Sequence, residues 1–187
     1  MLGEGEMLDL ITTWLPPGGR VLDVGCGSGR MLTVLAERGI SGMGIDPYAS
    51  DTERCRRLRA EEMEQLTERF DLVYTCYTLH HLDAPQRFPE KVRSVLRPSG
   101  VLLIVDWVEG ARTGVSERYL ASQTVGGWVS RAGFRLLCED VRGQSMVMVG
   151  KLPAARPDLH PKERAVYLKE SIIKGDAKCR MVGKSPP

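Results

Sequence analysis

The feature that most constrains the fold is the segment "RVLDVGCGSGRML", residues 20 to 32. A short apolar run that carries one carboxylate, Asp23, leads into glycines at positions 25, 27 and 29 and then into an amphipathic stretch. Glycine tolerates left-handed backbone angles and lets another molecule approach the main chain closely. The segment therefore predicts a buried strand, a tight turn and a helix, with a ligand held against the turn.

The rest of the chain continues this alternation. Strand patterns occur in "GMGID", "FDLVYTCY" and "GVLLIVDW", with helical patterns between them. Two further strand patterns, "FRLLCEDVRG" and "QSMVMVGKL", follow one another and predict a hairpin. Alternating strands and helices predict a parallel sheet covered on both faces, and a final hairpin adds an antiparallel strand. The expected fold is α/β: a Rossmann-like, doubly wound, seven-stranded, mostly parallel sheet with an antiparallel C-terminal strand and a C-terminal helical tail.

Two segments have their own predictions. The polar stretch from Ser50 to Phe70 is predicted to be mostly helical, with a short strand near Leu58–Ala60. Residues 1–152 are predicted to form one domain, followed by a basic, partly helical extension over residues 153–187.

The charge is unevenly distributed along the chain. From Lys151 onward there are nine Lys/Arg residues and four Asp/Glu residues, a net charge of +5, whereas the remainder has 17 and 20, a net charge of −3. The apolar face of the helix in this extension predicts that it packs on its own domain or on a second subunit in a homodimer. The alternatives are a solvated tail and a basic arm that binds an anionic partner.

The turn suits two classes of ligand, dinucleotides and S-adenosylmethionine. The dinucleotide pattern is G-x-G-x-x-G, and here the third glycine, Gly29, comes one place early. Asp23 would repel a pyrophosphate but attract an ammonium group. Asp46 ends the second strand, where an acid can hold both ribose hydroxyls of either ligand. The glycine spacing and Asp23 therefore favour S-adenosylmethionine over NAD, whereas Asp46 suits both.

Four motifs carry a resemblance to a known family. "VLDVGCGSG" resembles the first motif of class I S-adenosylmethionine-dependent methyltransferases, and "GIDPY" resembles their second. "FDLVYTCYTLHHL" is similar to the fourth-strand motif, and "VLRPSGVLLIVD" to the helix, turn and strand that follow it. The resemblance covers about residues 5 to 152 and is greatest for the small-metabolite type of ubiquinone and menaquinone biosynthesis. It implies an enzyme that uses S-adenosylmethionine and releases S-adenosylhomocysteine.

The same resemblance implies cofactor roles for individual residues. Asp46 would bind the ribose, with Pro47 beside the adenine, and the turn would line the methionine end. Arg59 stands where the family has an Asp on the adenine amino group, so Ala60 and Glu61 are the substitutes. The predicted cofactor-binding residues are Asp23, Gly25, Cys26, Gly27, Asp46, Pro47, Ala60, Glu61, Cys76 and Tyr77.

Candidate catalytic residues follow the fourth and fifth strands. His80 and His81 come after "FDLVYTCY", and Asp106 ends "GVLLIVD". Histidine can accept a proton near neutral pH, so these three residues are the predicted catalytic groups. Pocket lining for the histidines and turn capping for Asp106 are the alternatives. Two histidines and one aspartate are too few for a metal site, so no metal is predicted.

The predicted function is methyl transfer to a small-molecule acceptor by in-line attack on the sulfonium methyl. Thr75-Cys76-Tyr77-Thr78 replaces the Asn-Pro-Pro-Tyr type of motif, and no arginine–aromatic cluster is present, so a nucleic-acid partner is disfavoured. The alternatives are a protein or RNA acceptor recruited by the basic tail, and a non-catalytic S-adenosylmethionine-binding regulator. Without a leader pattern or an apolar run of ~20 residues, the expected location is the cytoplasm, with no membrane span.

Overall fold

The computed structural model describes residues 1–154, so the predicted extension lies almost entirely outside the described residues. The helices are α1 (Glu4–Trp14), α2 (Arg30–Glu37), α3 (Phe88–Val95) and α4 (Ser122–Arg131), and the short 3-10 helices are η1 (Ala60–Gln65), η2 (Leu79–His81) and η3 (Pro85–Arg87). The strands are β1 (Arg20–Val24), β2 (Ser41–Asp46), β3 (Cys55–Arg57), β4 (Phe70–Cys76), β5 (Leu96–Trp107), β6 (Arg135–Arg142) and β7 (Ser145–Lys151).

All seven strands form one sheet in the order β3-β2-β1-β4-β5-β7-β6. Neighbours from β3 to β5 are parallel, whereas β7 runs antiparallel to both β5 and β6. This arrangement confirms the predicted doubly wound sheet and its antiparallel C-terminal strand. The strand order reverses between β1 and β4, and the carboxyl ends of parallel strands beside such a reversal form a ligand-binding crevice.

Helices cover both faces of the sheet because its strands are apolar on both sides. Along β5, Leu102 and Ile104 pack on the face covered by α3 and α4, whereas Leu103 and Val105 pack on the face covered by α1 and α2. All four side chains are fully buried. The central strands are therefore held from both sides, and functional side chains are left to their carboxyl ends.

The polar stretch from Ser50 to Phe70 is not mostly helical, and that prediction is wrong. It contains β3, which comes earlier than the predicted strand, followed by the single 3-10 segment η1. The Thr52 hydroxyl accepts the amide of Cys55 at 3.0 Å and so sets up the short strand. Within this stretch Cys55, Ala60, Met63, Leu66 and Phe70 are buried, and the parallel pairing of Cys55–Arg57 with β2 replaces a helix in its first half.

Among residues 1–154, no helix is both long enough and apolar enough to cross a bilayer.

Candidate active site

The turn after β1 is built from left-handed glycines. Gly25, Gly27 and Gly29 have φ angles of 82°, 52° and 78°. The amides of Gly25 and Cys26 both donate to the carbonyl of Ile45, at 2.8 and 3.2 Å, which fastens the turn to β2. A Cβ atom added to Gly27 would meet no described atom within 4 Å. The middle of the turn therefore presents bare backbone to the crevice, as the sequence predicted.

Asp46 connects the turns after β1 and β2. Its Oδ2 atom accepts the amide of Gly27 at 3.1 Å, and its Oδ1 atom accepts the amide of Tyr48 at 2.8 Å. Asp46 is half-buried, and the next two residues, Pro47 and Tyr48, are exposed, with Tyr48 92% exposed. Each carboxylate oxygen has a second lone pair, so the group can still accept hydroxyl donors from the crevice.

Asp23 is a buried carboxylate at the end of β1. It is 5% exposed, and no ion pair reaches it from residues 1–154. Burial raises the pKa of Asp23 to about 7, the neighbouring Tyr74 hydroxyl lowers it, and the negative charge of Asp46 raises it further. That hydroxyl has no partner within ordinary hydrogen-bond geometry among the described residues. Asp23 is therefore a site where a cation would be strongly favoured.

The two cysteines of the predicted cofactor site are poor nucleophiles. Burial, together with the charge of Asp23, raises the pKa of Cys76 to about 12 and that of Cys26 further still. Both side chains are half-buried. A thiol that stays protonated is a weak nucleophile, so Cys26 and Cys76 line the crevice as small apolar groups.

Tyr77 has a role that the sequence did not predict. Its backbone is left-handed, with φ 53°, and its amide donates to the carbonyl of Val105 at 2.8 Å. Its hydroxyl accepts the amide of Leu2 at 2.6 Å and hydrogen-bonds the Ser145 hydroxyl at 2.7 Å. The ring contacts Trp107 with centroids 4.4 Å apart. The Tyr77 hydroxyl therefore joins α1 to the end of the sheet rather than pointing freely into the crevice.

Arg59 and its neighbours lie after β3, beside the loop that follows η2. The Arg59 guanidinium contacts Asp83 at 2.5 Å and Glu61 at 3.5 Å. Glu61 also accepts the amide of Asp83 at 3.3 Å, and Ala60 is buried. Asp83, which the sequence analysis did not select, thus neutralises the arginine that replaces the family's usual acid.

His80 and Asp106 form a buried pair. The Nδ1 atom of His80 lies 2.6 Å from Oδ1 of Asp106, and the His80 amide donates to Oδ2 at 3.1 Å. The amide of Trp107 also donates to Asp106, at 2.7 Å. Burial lowers the pKa of His80, but the hydrogen bond and charge of Asp106 and the charge of Glu117 outweigh it, so the pKa is raised overall. The structure thus brings two of the predicted catalytic residues into direct contact.

His81 and Glu117 complete this cluster. The His81 side chain is exposed, and its ring contacts that of His80 with centroids 3.9 Å apart and the ring planes tilted by 46°. Glu117 lies on the loop after β5, and its Oε2 atom is 3.7 Å from Nε2 of His80. Sequence reasoning missed Glu117, although the loop "VEGARTGVSERY" that carries it is the least generic part of the domain. His80 and His81 therefore form a histidine pair flanked by two carboxylates, Asp106 and Glu117.

The family follows from a direct match. A family model described as a methyltransferase domain matches residues 4–141. The chain belongs to this methyltransferase family. The match confirms the predicted class I fold and S-adenosylmethionine as the cofactor.

Two curated relatives are similar over part of this methyltransferase. The ubiquinone biosynthesis O-methyltransferase of Chelativorans sp. (strain BNC1) is 31% identical over 100 residues, which cover 46% of this chain and 40% of that protein. The tRNA U34 carboxymethyltransferase of Idiomarina loihiensis is 32% identical over 149 residues, covering 63% of this chain and 46% of that protein. The chain thus spans less than half the length of these two relatives.

A solved structure shows the same fold. The 1,6-didemethyltoxoflavin-N1-methyltransferase of Burkholderia thailandensis, with 1,6-didemethyltoxoflavin and S-adenosylhomocysteine bound, superimposes with a TM-score of 0.61. The sequences are 20% identical, and the match covers 79% of this chain and 76% of that one.

The first prediction concerns Gly25, which packs against Thr78. A Cβ atom at Gly25 would lie 2.2 Å from Oγ1 of Thr78, and the residue would also keep a φ of 82°. Gly25→Ala should therefore lower the free energy of unfolding by about 2–5 kcal/mol, the sum of left-handed strain and overpacking. Gly27→Ala, which meets no described atom, should lower it by only about 1–2 kcal/mol. Urea unfolding of both variants measures the difference, and equal losses would show that the Thr78 contact does not matter.

Proposed function

We propose that this methyltransferase transfers a methyl group from S-adenosylmethionine to a small-molecule acceptor that binds beside His80. The observation that carries the proposal is that the glycine turn and the histidine cluster lie at the same edge of the sheet, beside the strand reversal. Gly25 packs against Thr78, and His80 lies on the same connection after β4, so the two groups of residues are neighbours. The similarity to a ubiquinone biosynthesis O-methyltransferase supports a small-molecule acceptor.

The glycine turn and Asp46 fit the nucleoside and methionine parts of the cofactor. Gly27 leaves open space beside the backbone, and Gly25 and Cys26 complete the turn. Both oxygens of Asp46 hold one amide each and keep capacity for two ribose hydroxyls. The exposed Pro47, next to Asp46, offers an apolar surface to the adenine. We assign the ribose to Asp46 and the methionine end to the turn.

Asp23 fits the cationic end of the cofactor. A buried carboxylate without a cationic partner costs free energy, and an ammonium group would remove that cost. Its position at the end of β1, directly before the turn, suits the amino group of the methionine moiety. The neutral thiol of Cys76 and the ring of Tyr77 then form apolar walls.

The adenine contact differs from the family pattern. Glu61 already contacts Arg59 and accepts the amide of Asp83, so its carboxylate has few free positions. The backbone of Ala60, at the start of η1, is therefore the better candidate to contact the adenine edge. In this proposal Arg59 and Asp83 stabilise the loop that carries Ala60.

The reaction requires the acceptor atom to be aligned with the sulfonium methyl more than it requires the methyl group to be activated. When bound, S-adenosylmethionine supplies an electrophilic sulfonium methyl that the acceptor attacks in line. The protein's contribution is to hold the acceptor's nucleophilic atom in the right position, which can supply much of the rate acceleration. His80, His81 and Asp106 are proposed to form the acceptor side, with Asp106 fixing the His80 ring through its contact with Nδ1.

Binding and turnover assays test the proposed function. Calorimetry should show binding of S-adenosylmethionine and S-adenosylhomocysteine and no binding of NAD. Incubation with a metabolite extract and labelled S-adenosylmethionine should then yield a methylated small molecule by mass spectrometry. Binding of NAD instead of S-adenosylmethionine would overturn the proposal, and cofactor binding without turnover of any acceptor would favour a regulatory protein.

A macromolecular acceptor is the second candidate, and two observations favour it. One relative is a tRNA U34 carboxymethyltransferase, and the extension from residue 151 carries a charge of +5. The same assay with tRNA and with a protein extract distinguishes the two candidates. Methylated tRNA, formed in an amount that falls steeply with salt, would replace the small-molecule proposal.

Asp46 provides a direct test of the ribose assignment. Asp46→Asn should weaken S-adenosylmethionine binding by about 1–3 kcal/mol, the range for a lost hydrogen bond to a charged group. Calorimetry measures the change, and thermal unfolding checks that the fold is intact. Asp9→Asn, which removes an exposed acid from α1, is the matched control and should bind normally. Unchanged affinity in Asp46→Asn would show that this residue does not hold the ribose.

Asp23 predicts a pH dependence of cofactor binding. Because its pKa is raised to about 7, the free protein gains a proton on Asp23 as the pH falls below 7, whereas a bound ammonium group favours the ionised form. The affinity for S-adenosylmethionine should therefore fall roughly tenfold or more between pH 7.5 and pH 5.5. Asp23→Asn should bind weakly at every pH in this range. A flat wild-type profile by calorimetry would exclude Asp23 as the ammonium site.

A further inference from the structure

The Nε2 atom of His80 remains without a partner in the proposed site. The His80 side chain is only 2% exposed, and Nε2 has no hydrogen-bond partner among residues 1–154. Buried polar atoms are normally paired, so Nε2 of His80 has the capacity to bind a ligand or a water molecule. The question is which ligand the surrounding side chains would accept.

Asp106 fixes the way in which His80 can interact. Carboxylate oxygens accept hydrogen bonds, so Nδ1 of His80 carries the proton that it shares with Asp106 at 2.6 Å. Nε2 then carries a lone pair. The amides of His80 and Trp107 hold the Asp106 carboxylate in place, so the ring cannot easily turn away. A histidine oriented by a carboxylate in this way is the usual environment of a metal-binding imidazole.

Two other side chains point donor atoms at the same place. One ligand atom each from His80, His81 and Glu117 lie within 4.8 Å of one another. Nε2 of His80 and Oε2 of Glu117 are 3.7 Å apart. In a tetrahedral zinc site, ligand atoms about 2.0–2.1 Å from the metal lie roughly 3.4 Å apart. His81 is exposed and Glu117 is half-buried, so both side chains have room to close the difference.

We propose that His80, His81 and Glu117 bind one divalent cation of the zinc class, with a fourth coordination position open to the crevice. Two imidazoles and one carboxylate are a ligand set suited to zinc, and three protein ligands leave one position for an exchangeable oxygen. The expectation of no metal counted Asp106 as the third candidate ligand. In the structure Asp106 contacts Nδ1 of His80, on the opposite side of the ring from the proposed metal, and Glu117 takes the place of the third ligand in this proposal.

This inference deepens the proposed function and rests on it for the role of the metal. An acceptor hydroxyl bound at the open position would be more acidic and would lose its proton to water. The oxygen would then form the new bond to the methyl carbon while the carbon–sulfur bond breaks and its electron pair stays on sulfur. The inference therefore names an oxygen nucleophile, an alcohol or a phenol, as the acceptor class. His80 is a ligand in this scheme and not the base.

Metal binding can be measured without turnover. The full chain is treated with EDTA, dialysed, and titrated with Co²⁺ by visible absorption and with Zn²⁺ by calorimetry. One equivalent should give the d–d bands of a low-coordinate cobalt site. Glu117→Gln and His81→Gln should each weaken this binding at least tenfold. Glu109→Gln, an exposed acid on the same loop, is the matched control and should bind as the wild type does.

The outcomes separate the metal site from the proposed function. Absence of cobalt bands, or Zn²⁺ binding unchanged in both Glu117→Gln and His81→Gln, would overturn the metal site. Calorimetry with S-adenosylmethionine on the same metal-free and metal-loaded samples should show cofactor binding in both, because Asp23 and Asp46 lie in the other part of the crevice. Loss of cofactor binding with metal binding intact would overturn the proposed function instead. Thermal unfolding of each variant confirms that it is folded.

Discussion

The parallel pairing of β1 with β2 and β4 is the constraint on which the rest of the site depends. Val24 at the end of β1 lies opposite Ile45 on one side and Thr75 on the other. The three strands therefore end together, and the chain after each one enters the same small volume. Gly25 reaches the segment after β4, and Asp46 at the end of β2 reaches back to the turn after β1. The turn, the acid and the histidine segment are thus held in one rigid frame.

Three carboxylates at this edge of the sheet differ in the number of N–H groups that hydrogen-bond to them. Asp106 is fully buried and interacts with three N–H groups, two from His80 and one from Trp107. Asp46 is half-buried and accepts two amides. Asp23 is buried and accepts no amide from residues 1–154, so its charge is the one that the fold leaves uncompensated. A ligand that supplies a cation there would stabilise the folded protein as well as bind to it.

Local signals in the sequence were enough to predict that the candidate cofactor residues lie near one another, and their contacts with the cofactor stay a prediction. Asp23, Gly25, Gly27 and Asp46 stand in short motifs at strand ends, so strand order alone brings them together. Other parts of the candidate site depend on contacts between distant segments. Glu117 lies in an irregular loop that no periodicity marks, and the partnership of Arg59 with Asp83 requires two loops to meet. The prediction for the stretch after β2 is wrong because a charged composition fits a helix locally, whereas pairing with β2 determines its structure.

The hydroxyl of Tyr77 has a consequence for the order in which the protein folds. It links Leu2, next to the first helix, to Ser145, at the start of the last strand. During synthesis the ribosome releases β7 long after α1, and until β7 pairs with β5 the edge of the sheet is open and Ser145 is absent from its place. The parallel core from β3 to β5 and the apolar packing of α1 can form earlier, but the Tyr77 hydroxyl gains its second partner only when the last strand is in place. The contact between Tyr77 and Ser145 therefore reports that the whole sheet has formed, and a nascent chain that stops before Ser145 carries the motifs of the family without this link.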